Sequence, residues 1–244
     1  NFTSTTDSNN TAVGYNAGLS VTTGTRNTLI GGLAGDNTTT GSYNTFVGFA
    51  NGGANTTGES NVALGDDCFA SNTTGINNVA IGQATLNFNT TASNNTAVGK
   101  SALSANITGT QNVAVGSSSL VTNTTGGQNT AVGLNSLLLN TTGSYNSALG
   151  IQALNSNTTA SNNVAMGYQA LYANTTGSKN TAIGFQALRT NITGTNNLGI
   201  GEAAGYYTTG SGNITIGARN NAGTFVPAAN ITSQNNYLSM GHTS

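Results

Sequence analysis

Glycine recurs in this sequence at an interval that leaves few folds open. Gly14, Gly31, Gly48, Gly65, Gly82, Gly99, Gly116, Gly133, Gly150, Gly167, Gly184 and Gly201 each close a run of the type N-x-A-V-G, and every interval is 17 residues. The spacing then changes, Gly217 following after 16 residues and Gly241 after 24. The consensus unit reads N-[TV]-A-[VI]-G-x-x-A-L-x-x-N-T-T-G-x-x. Its leading Asn is present in all twelve regular units: Asn10, Asn27, Asn44, Asn61, Asn78, Asn95, Asn112, Asn129, Asn146, Asn163, Asn180 and Asn197. The residue before the anchor glycine is always large and apolar, as in Val13, Ile30, Leu64 and Met166. Three residues after the anchor the side chain is small, and the next position is Leu in seven units, Leu86 to Leu188, and Phe in one, Phe69. A second glycine recurs at Gly24, Gly41, Gly58 and onward, with Ala92 and Ala160 in its place twice.

Seventeen residues are too few for a repeat of two helices, which needs more than about 30. They suffice for two short strands and two turns. The N-T-A-V-G run alternates, so Thr/Val and Val/Ile share one face and Asn, Ala and Gly the other. Glycine at both strand ends suits turns that need positive φ. The expectation is an all-β fold, a parallel β-solenoid or β-roll of 17-residue coils with two short strands each. It would span residues 10–217, regular coils followed by a last one of 16, between a lead-in at 1–9 and an irregular segment at 218–244.

Coils stacked about 4.8 Å apart place each residue over its equivalent. The leading Asn then forms a structural ladder with amides bonding along the axis. The Val/Ile and Leu columns are expected as apolar ridges inside the coil. The Ala column (Ala63, Ala80, Ala97 and equivalents) faces either the interior or a neighbouring chain. With two large apolar side chains per coil the core is thin, which favours oligomerisation about a shared long axis.

Charged residues make up 5% of the chain, against about 25% in an ordinary soluble domain. Arg26, Lys100, Lys179, Arg189 and Arg219 are scattered and the net charge is −1, so no basic patch is available and no nucleic-acid partner is expected. No apolar run approaches the roughly 20 residues that cross a bilayer, and no membrane insertion by this segment is expected. The chain begins at Asn1 with no leader pattern and reads as a piece of something longer.

The chemistry-bearing residues point away from catalysis. His242 is the only histidine and has no partner nearby in sequence. Cys68 occupies a column filled elsewhere by Ala102, Ser119, Ser136 and Ala153, the place of a buried filler rather than of a nucleophile. Asp66 and Asp67 are adjacent after Gly65, too few oxygens for a hard cation. No phosphate-binding G-x-x-x-x-G-K-[ST] occurs. No enzyme activity, metal or cofactor is expected.

Asn-x-Thr recurs at Asn55, Asn72, Asn89, Asn106, Asn123, Asn140, Asn157, Asn174 and Asn191. In a eukaryotic secreted protein these would be glycan acceptors, whereas in a phage or bacterial fibre they are turn chemistry, Asn and Thr bonding the local backbone. Surface contacts to a partner fall to positions the consensus leaves free: Phe88, Tyr172 and Arg189, with Tyr43, Tyr145 and Lys179 beside them. Aromatic and amide-rich surfaces suit a cell-surface glycan, a protein receptor being the other candidate.

Units such as N-V-A-I-G (Asn78–Gly82) and N-T-A-V-G (Asn95–Gly99) resemble the head repeats of trimeric autotransporter adhesins, the YadA-like heads. That resemblance implies left-handed coils and a side-by-side homotrimer that attaches to host surfaces. The period departs from that family, whose repeats are a little shorter, and Asn-Thr-Thr-Gly replaces its Ala-x-Gly turn. The run N-N-V-A-M-G-Y-Q-A-L-Y-A-N-T-T-G (Asn162–Gly177) is similar to repeats in tail-fibre proteins of marine and cyanobacterial phages. N-N-Y-L-S-M-G-H-T-S (Asn235–Ser244) resembles the segment before the chaperone domain that ends such fibres. The expected function is structural and adhesive: an extracellular fibre segment, a phage tail-fibre shaft or receptor-binding head. A bacterial adhesin head and an ice-binding solenoid are the alternatives.

Overall fold

A computed structural model describes residues 8–217 and the strand at 238–240. Every element is a three-residue strand: β1 (Thr11–Val13), β2 (Thr28–Ile30), β3 (Thr45–Val47), β4 (Val62–Leu64), β5 (Val79–Ile81), β6 (Thr96–Val98), β7 (Val113–Val115), β8 (Thr130–Val132), β9 (Ser147–Leu149), β10 (Val164–Met166), β11 (Thr181–Ile183), β12 (Leu198–Ile200), β13 (Ile214–Ile216) and β14 (Leu238–Met240). The chain divides into two compact units at Thr125/Gly126. In the first, β1 to β7 pair in sequence order, all parallel, in registers such as Ala80↔Ala97. In the second, β8 to β14 do the same, Ala165 lying beside Ala182. Each unit is therefore a parallel β-solenoid with one turn of chain per repeat.

Two expectations need correction. The first is the second strand, which is absent from every described coil. After each anchor glycine the backbone returns to positive φ at alternate residues, as in Gly82 (130°), Ala84 (53°) and Leu86 (48°). Such a path curls and no extended strand accommodates it. It is held by bonds to both neighbouring coils: the Ala84 N–H donates to the Asp66 carbonyl and the Leu86 N–H to the Ala102 carbonyl, each at 3.1 Å. The curled side is thus an inter-coil ladder as well, with a different backbone.

The second correction concerns the interior. The Ala column is buried, Ala63, Ala80, Ala97, Ala114, Ala131, Ala165 and Ala182 being wholly inaccessible, and the Leu column from Leu86 to Leu188 lies opposite it inside the coil. The Val/Ile column points out, exposed at Val13 (59%), Leu149 (47%) and Met166 (41%) and half-exposed at Val47, Leu64, Ile81, Val98 and Val132. The reason is width, since a coil encloses roughly one large side chain. Where the strand centre carries Leu29 or Phe46 instead of Ala, the facing turn carries Gly35 or Gly52 instead of Leu. A narrow tube filled by Leu from one wall has room only for Ala on the other.

The anchor glycines are required twice over. Gly65 has φ 139°, and a Cβ there would lie 2.6 Å from the carbonyl oxygen of Gly82 in the next coil. Any side chain would push adjacent coils apart.

Candidate binding surfaces

The leading Asn residues and the Asn-x-Thr residues are both interior. In the first unit the backbone N–H of each leading Asn donates to the Oδ1 of its predecessor, from Asn27 on Asn10 (2.7 Å) to Asn112 on Asn95 (2.9 Å). The Nδ2 groups reach across the same coil to the carbonyl at the second glycine position, as Asn44 does to Gly58 and Asn78 to Ala92. The second unit repeats both contacts from Asn129 to Asn213. Each leading Asn is a crossbar whose Nδ2 ties a coil shut and whose Oδ1 caps the coil after it.

Asn55, Asn72, Asn89, Asn106, Asn123, Asn140, Asn157, Asn174 and Asn191 are fully buried. Asn72 Nδ2 donates to Asn55 Oδ1 and to the Gly75 carbonyl, and Asn89, Asn106 and Asn174 repeat the pattern. In the folded coil their amides face inward and are hydrogen-bonded, so a glycan on Nδ2 would have no space. The first Thr of the motif extends this turn chemistry, its hydroxyl donating to the next coil's carbonyl, as in Thr56 to Thr73 (3.0 Å). The residue before the second-glycine position, Thr40, Thr57, Thr74, Thr91 and Thr108, is exposed.

Cys68 is buried, its Sγ 3.2 Å from the Ala80 carbonyl, and burial pushes its thiol from an ordinary 9.0 up to about 12. Asp66 and Asp67 are exposed on the turn after Gly65. Partial burial raises the carboxyl of Asp36, which accepts a bond from Asn37 Nδ2. Among the described residues no group of three or more His, Cys, Asp or Glu gathers, and no helix is long and apolar enough to cross a membrane. His242 lies outside the described residues.

Two surfaces remain. In the first unit, the exposed Phe88 stands beside a shallow groove of about 390 Å³ lined also by Ser71, Thr90, Ala105, Ile107 and Thr124. Ile107 replaces the first Thr of an N-T-T-G turn, and that substitution was the signal for this apolar patch.

In the second unit Tyr172 and Arg189 come together, with Tyr206 on the far side. The guanidinium carbon lies 5.1 Å from the Tyr172 ring centre and 5.5 Å from that of Tyr206. Arg189 Nε donates to Gln169 Oε1 (2.9 Å) and Nη1 to the Tyr206 hydroxyl (2.8 Å). Tyr168 and Phe185, adjacent in sequence to Gln169 and Gln186, stack on each other, centres 5.3 Å apart and planes 16° from parallel. Sequence reading singled out Tyr172 and Arg189 but not Gln169, Tyr206, Tyr168 or Phe185, although Tyr168 and Phe185, and likewise Arg189 and Tyr206, sit at the 17-residue spacing. A smaller version occurs in the first unit, where Arg26 lies 5.3 Å from the Tyr43 ring and donates to its hydroxyl.

No protein-family model matches this chain, and no similar protein is found among curated proteins or solved structures.

Proposed function

We propose that the chain is a non-enzymatic structural segment of an extracellular fibre, of the phage tail-fibre type, that assembles side by side as a homotrimer and serves in attachment. The observation that carries this reading is the outer face of the strands. Most strands turn Ala inward and send Thr or Val and then Val, Ile, Leu or Met outward, so each unit bears a ridge of exposed or half-exposed aliphatic side chains. Monomeric proteins rarely expose contiguous apolar patches of this kind, and a second and third copy with the same ridge would cover them. Of the two places open to the Ala column, the interior is the one it takes, and contact with a neighbour falls to the Val/Ile column. An interior one large side chain wide also leaves each coil little apolar area of its own to bury.

Native mass spectrometry tests the assembly. A mass near three times 24.3 kDa is expected, and a single-chain mass at micromolar concentration overturns the trimer.

The column of exposed Thr at Thr40, Thr57, Thr74, Thr91 and Thr108 favours a second reading, ice binding by a regular hydroxyl array. Thermal hysteresis from a monomeric chain would favour it over the fibre. Its absence removes it.

A further inference from the structure

Between Gly126 and Gly217 the second unit has three charged side chains, Lys179, Arg189 and Glu202. Of these Arg189 is the one clamped between two tyrosine rings and held by directed hydrogen bonds to Gln169 and Tyr206. Neither bond is to a carboxylate. A guanidinium carries five N–H donors, and these two bonds leave the larger part of its fork unused. The same column elsewhere holds Leu138 and Asn155, so the coils stack without a cation at this position.

The surroundings are as ordered as the arginine. Gln169 Nε2 donates to Gln152 Oε1 (2.8 Å), and Gln186 Nε2 donates to Gln169 Oε1 (3.0 Å), the atom that also accepts from Arg189. Three amides, a guanidinium and a phenol are thereby fixed in orientation before any ligand arrives. The Tyr172 hydroxyl and Gln186 Oε1 make no hydrogen bond among the described residues. Tyr168 and Phe185, the residues before Gln169 and Gln186 in the chain, are exposed.

We propose that this surface binds an acidic glycan, a pyranose carrying a carboxylate or sulfate, with Arg189 on the anion. The Gln186 amide and the Tyr172 hydroxyl meet ring hydroxyls, and Tyr168 and Phe185 take the sugar's C–H face. A planar fork suits an oxyanion in a way that a lysine ammonium does not. Nucleic acid fits poorly, because one cation neutralises one phosphate of many. Fixing the donors in advance lowers the ordering cost that weakens most sugar binding. The inference deepens the attachment role proposed above and rests on it.

The test is titration of the full chain with oligosaccharides ending in sialic acid, glucuronic acid or a 6-sulfated hexose, and with their neutral counterparts. At least tenfold tighter binding of an acidic form than of its neutral counterpart is expected, and the carboxylated and sulfated arms identify the anion. Arg189→Gln should lose at least tenfold, and Arg189→Lys should recover only part of it. Tyr172→Phe keeps the ring on Arg189 and removes the hydroxyl. It should bind severalfold more weakly with an unchanged melting temperature, which guards against an Arg189 variant that fails to fold. Equal binding of neutral and acidic sugars, no acidic binding at millimolar concentration, or undiminished binding by a folded Arg189→Gln would each overturn the proposal. A trimer that binds no acidic sugar overturns this inference alone, and a monomer that binds one overturns the assembly alone.

Discussion

Phe46 lies against Gly52 so closely that a Cβ on Gly52 would sit 2.5 Å from the Phe46 ring. Gly52 has φ 61°, the conformation that Leu86 and Leu103 adopt at the equivalent position, so backbone alone does not forbid a leucine there. What forbids it is the phenyl group. Phe46→Ala should cost about 3–5 kcal/mol by opening a cavity, and Gly52→Leu about 1–3 kcal/mol or more by overpacking. The double variant reproduces the Ala/Leu pairing of coils such as that of Ala97 and Leu103 and should be more stable than the sum of the two losses. Urea titration of the four proteins in the cycle measures the coupling, and simple additivity would refute the one-large-side-chain interior.

Asn78 shows what a crossbar contributes. Its Oδ1 accepts the buried N–H of Asn95 at 3.0 Å, while its Nδ2 donates to the Ala92 carbonyl and to Asn61 Oδ1. Asn78→Ala leaves the Asn95 N–H without that acceptor and should cost about 1–3 kcal/mol. Asn78→Asp should cost more at neutral pH, because a buried carboxylate would face two acceptors. Its folded-state pKa would then lie above the ordinary value of about 3.9. The penalty is smallest in acid, where folded and unfolded forms are both protonated, and grows as pH rises through and above that value. Thermal melts of Asn78→Asp at acid and neutral pH, set against the parent chain, check the sign.

The register was legible in the sequence because it needs only a period. The Asn columns, the Leu column and the small-residue slot of Cys68 all follow from stacking residue i on residue i+17. The face of β5 was not, because alternation in Val79-Ala80-Ile81 reads the same whichever side is inside. The discriminating signal lay elsewhere, in the replacement of Ala by Leu29 and Phe46 where Leu gives way to Gly35 and Gly52. The missing second strand was hidden for a related reason. Ala84 and Leu86 do not advertise positive φ, although Gly18, Gly35, Gly52 and Gly205 in the Leu86 column hint at it. The Arg189 cluster was half legible. Tyr172 and Tyr206 share its column, whereas the Gln169 contact spans 20 residues and crosses columns.

Cys68 gives a prediction whose sign is set by burial. Its thiol is raised from 9.0 to about 12, so the unfolded chain loses its thiol proton at lower pH than the folded one. Ionisation therefore stabilises the unfolded state, and stability attributable to this group falls as pH climbs from about 9 toward 12. Cys68→Ala, which restores the residue found at Ala102, should remove that part of the alkaline loss and leave stability near neutral pH within about 1 kcal/mol. Iodoacetamide should label native Cys68 only at the rate of unfolding, and rapid labelling of the folded chain at pH 8 would show the thiol to be accessible.

Thr38 occupies the position held by the Asn-x-Thr asparagines in later coils, and its buried hydroxyl has no hydrogen-bond partner. The ladder of the first unit thus begins at Asn55, whose Nδ2 bonds only the Gly58 carbonyl at 3.1 Å. In the next coil Asn72 Nδ2 bonds both its own Gly75 carbonyl and Asn55 Oδ1. An asparagine at position 38 would supply the missing Oδ1 to Asn55 and direct its own amide toward the Gly41 carbonyl. Thr38→Asn should therefore stabilise the first unit by about 0.5–1.5 kcal/mol, the net worth of one added hydrogen bond, together with relief of an unsatisfied hydroxyl. A rise in melting temperature is the expected result. A fall would mean that the larger amide does not fit beside Gly35 and Leu29, where a Cβ on Gly35 would already lie 3.1 Å from Thr38 Oγ1.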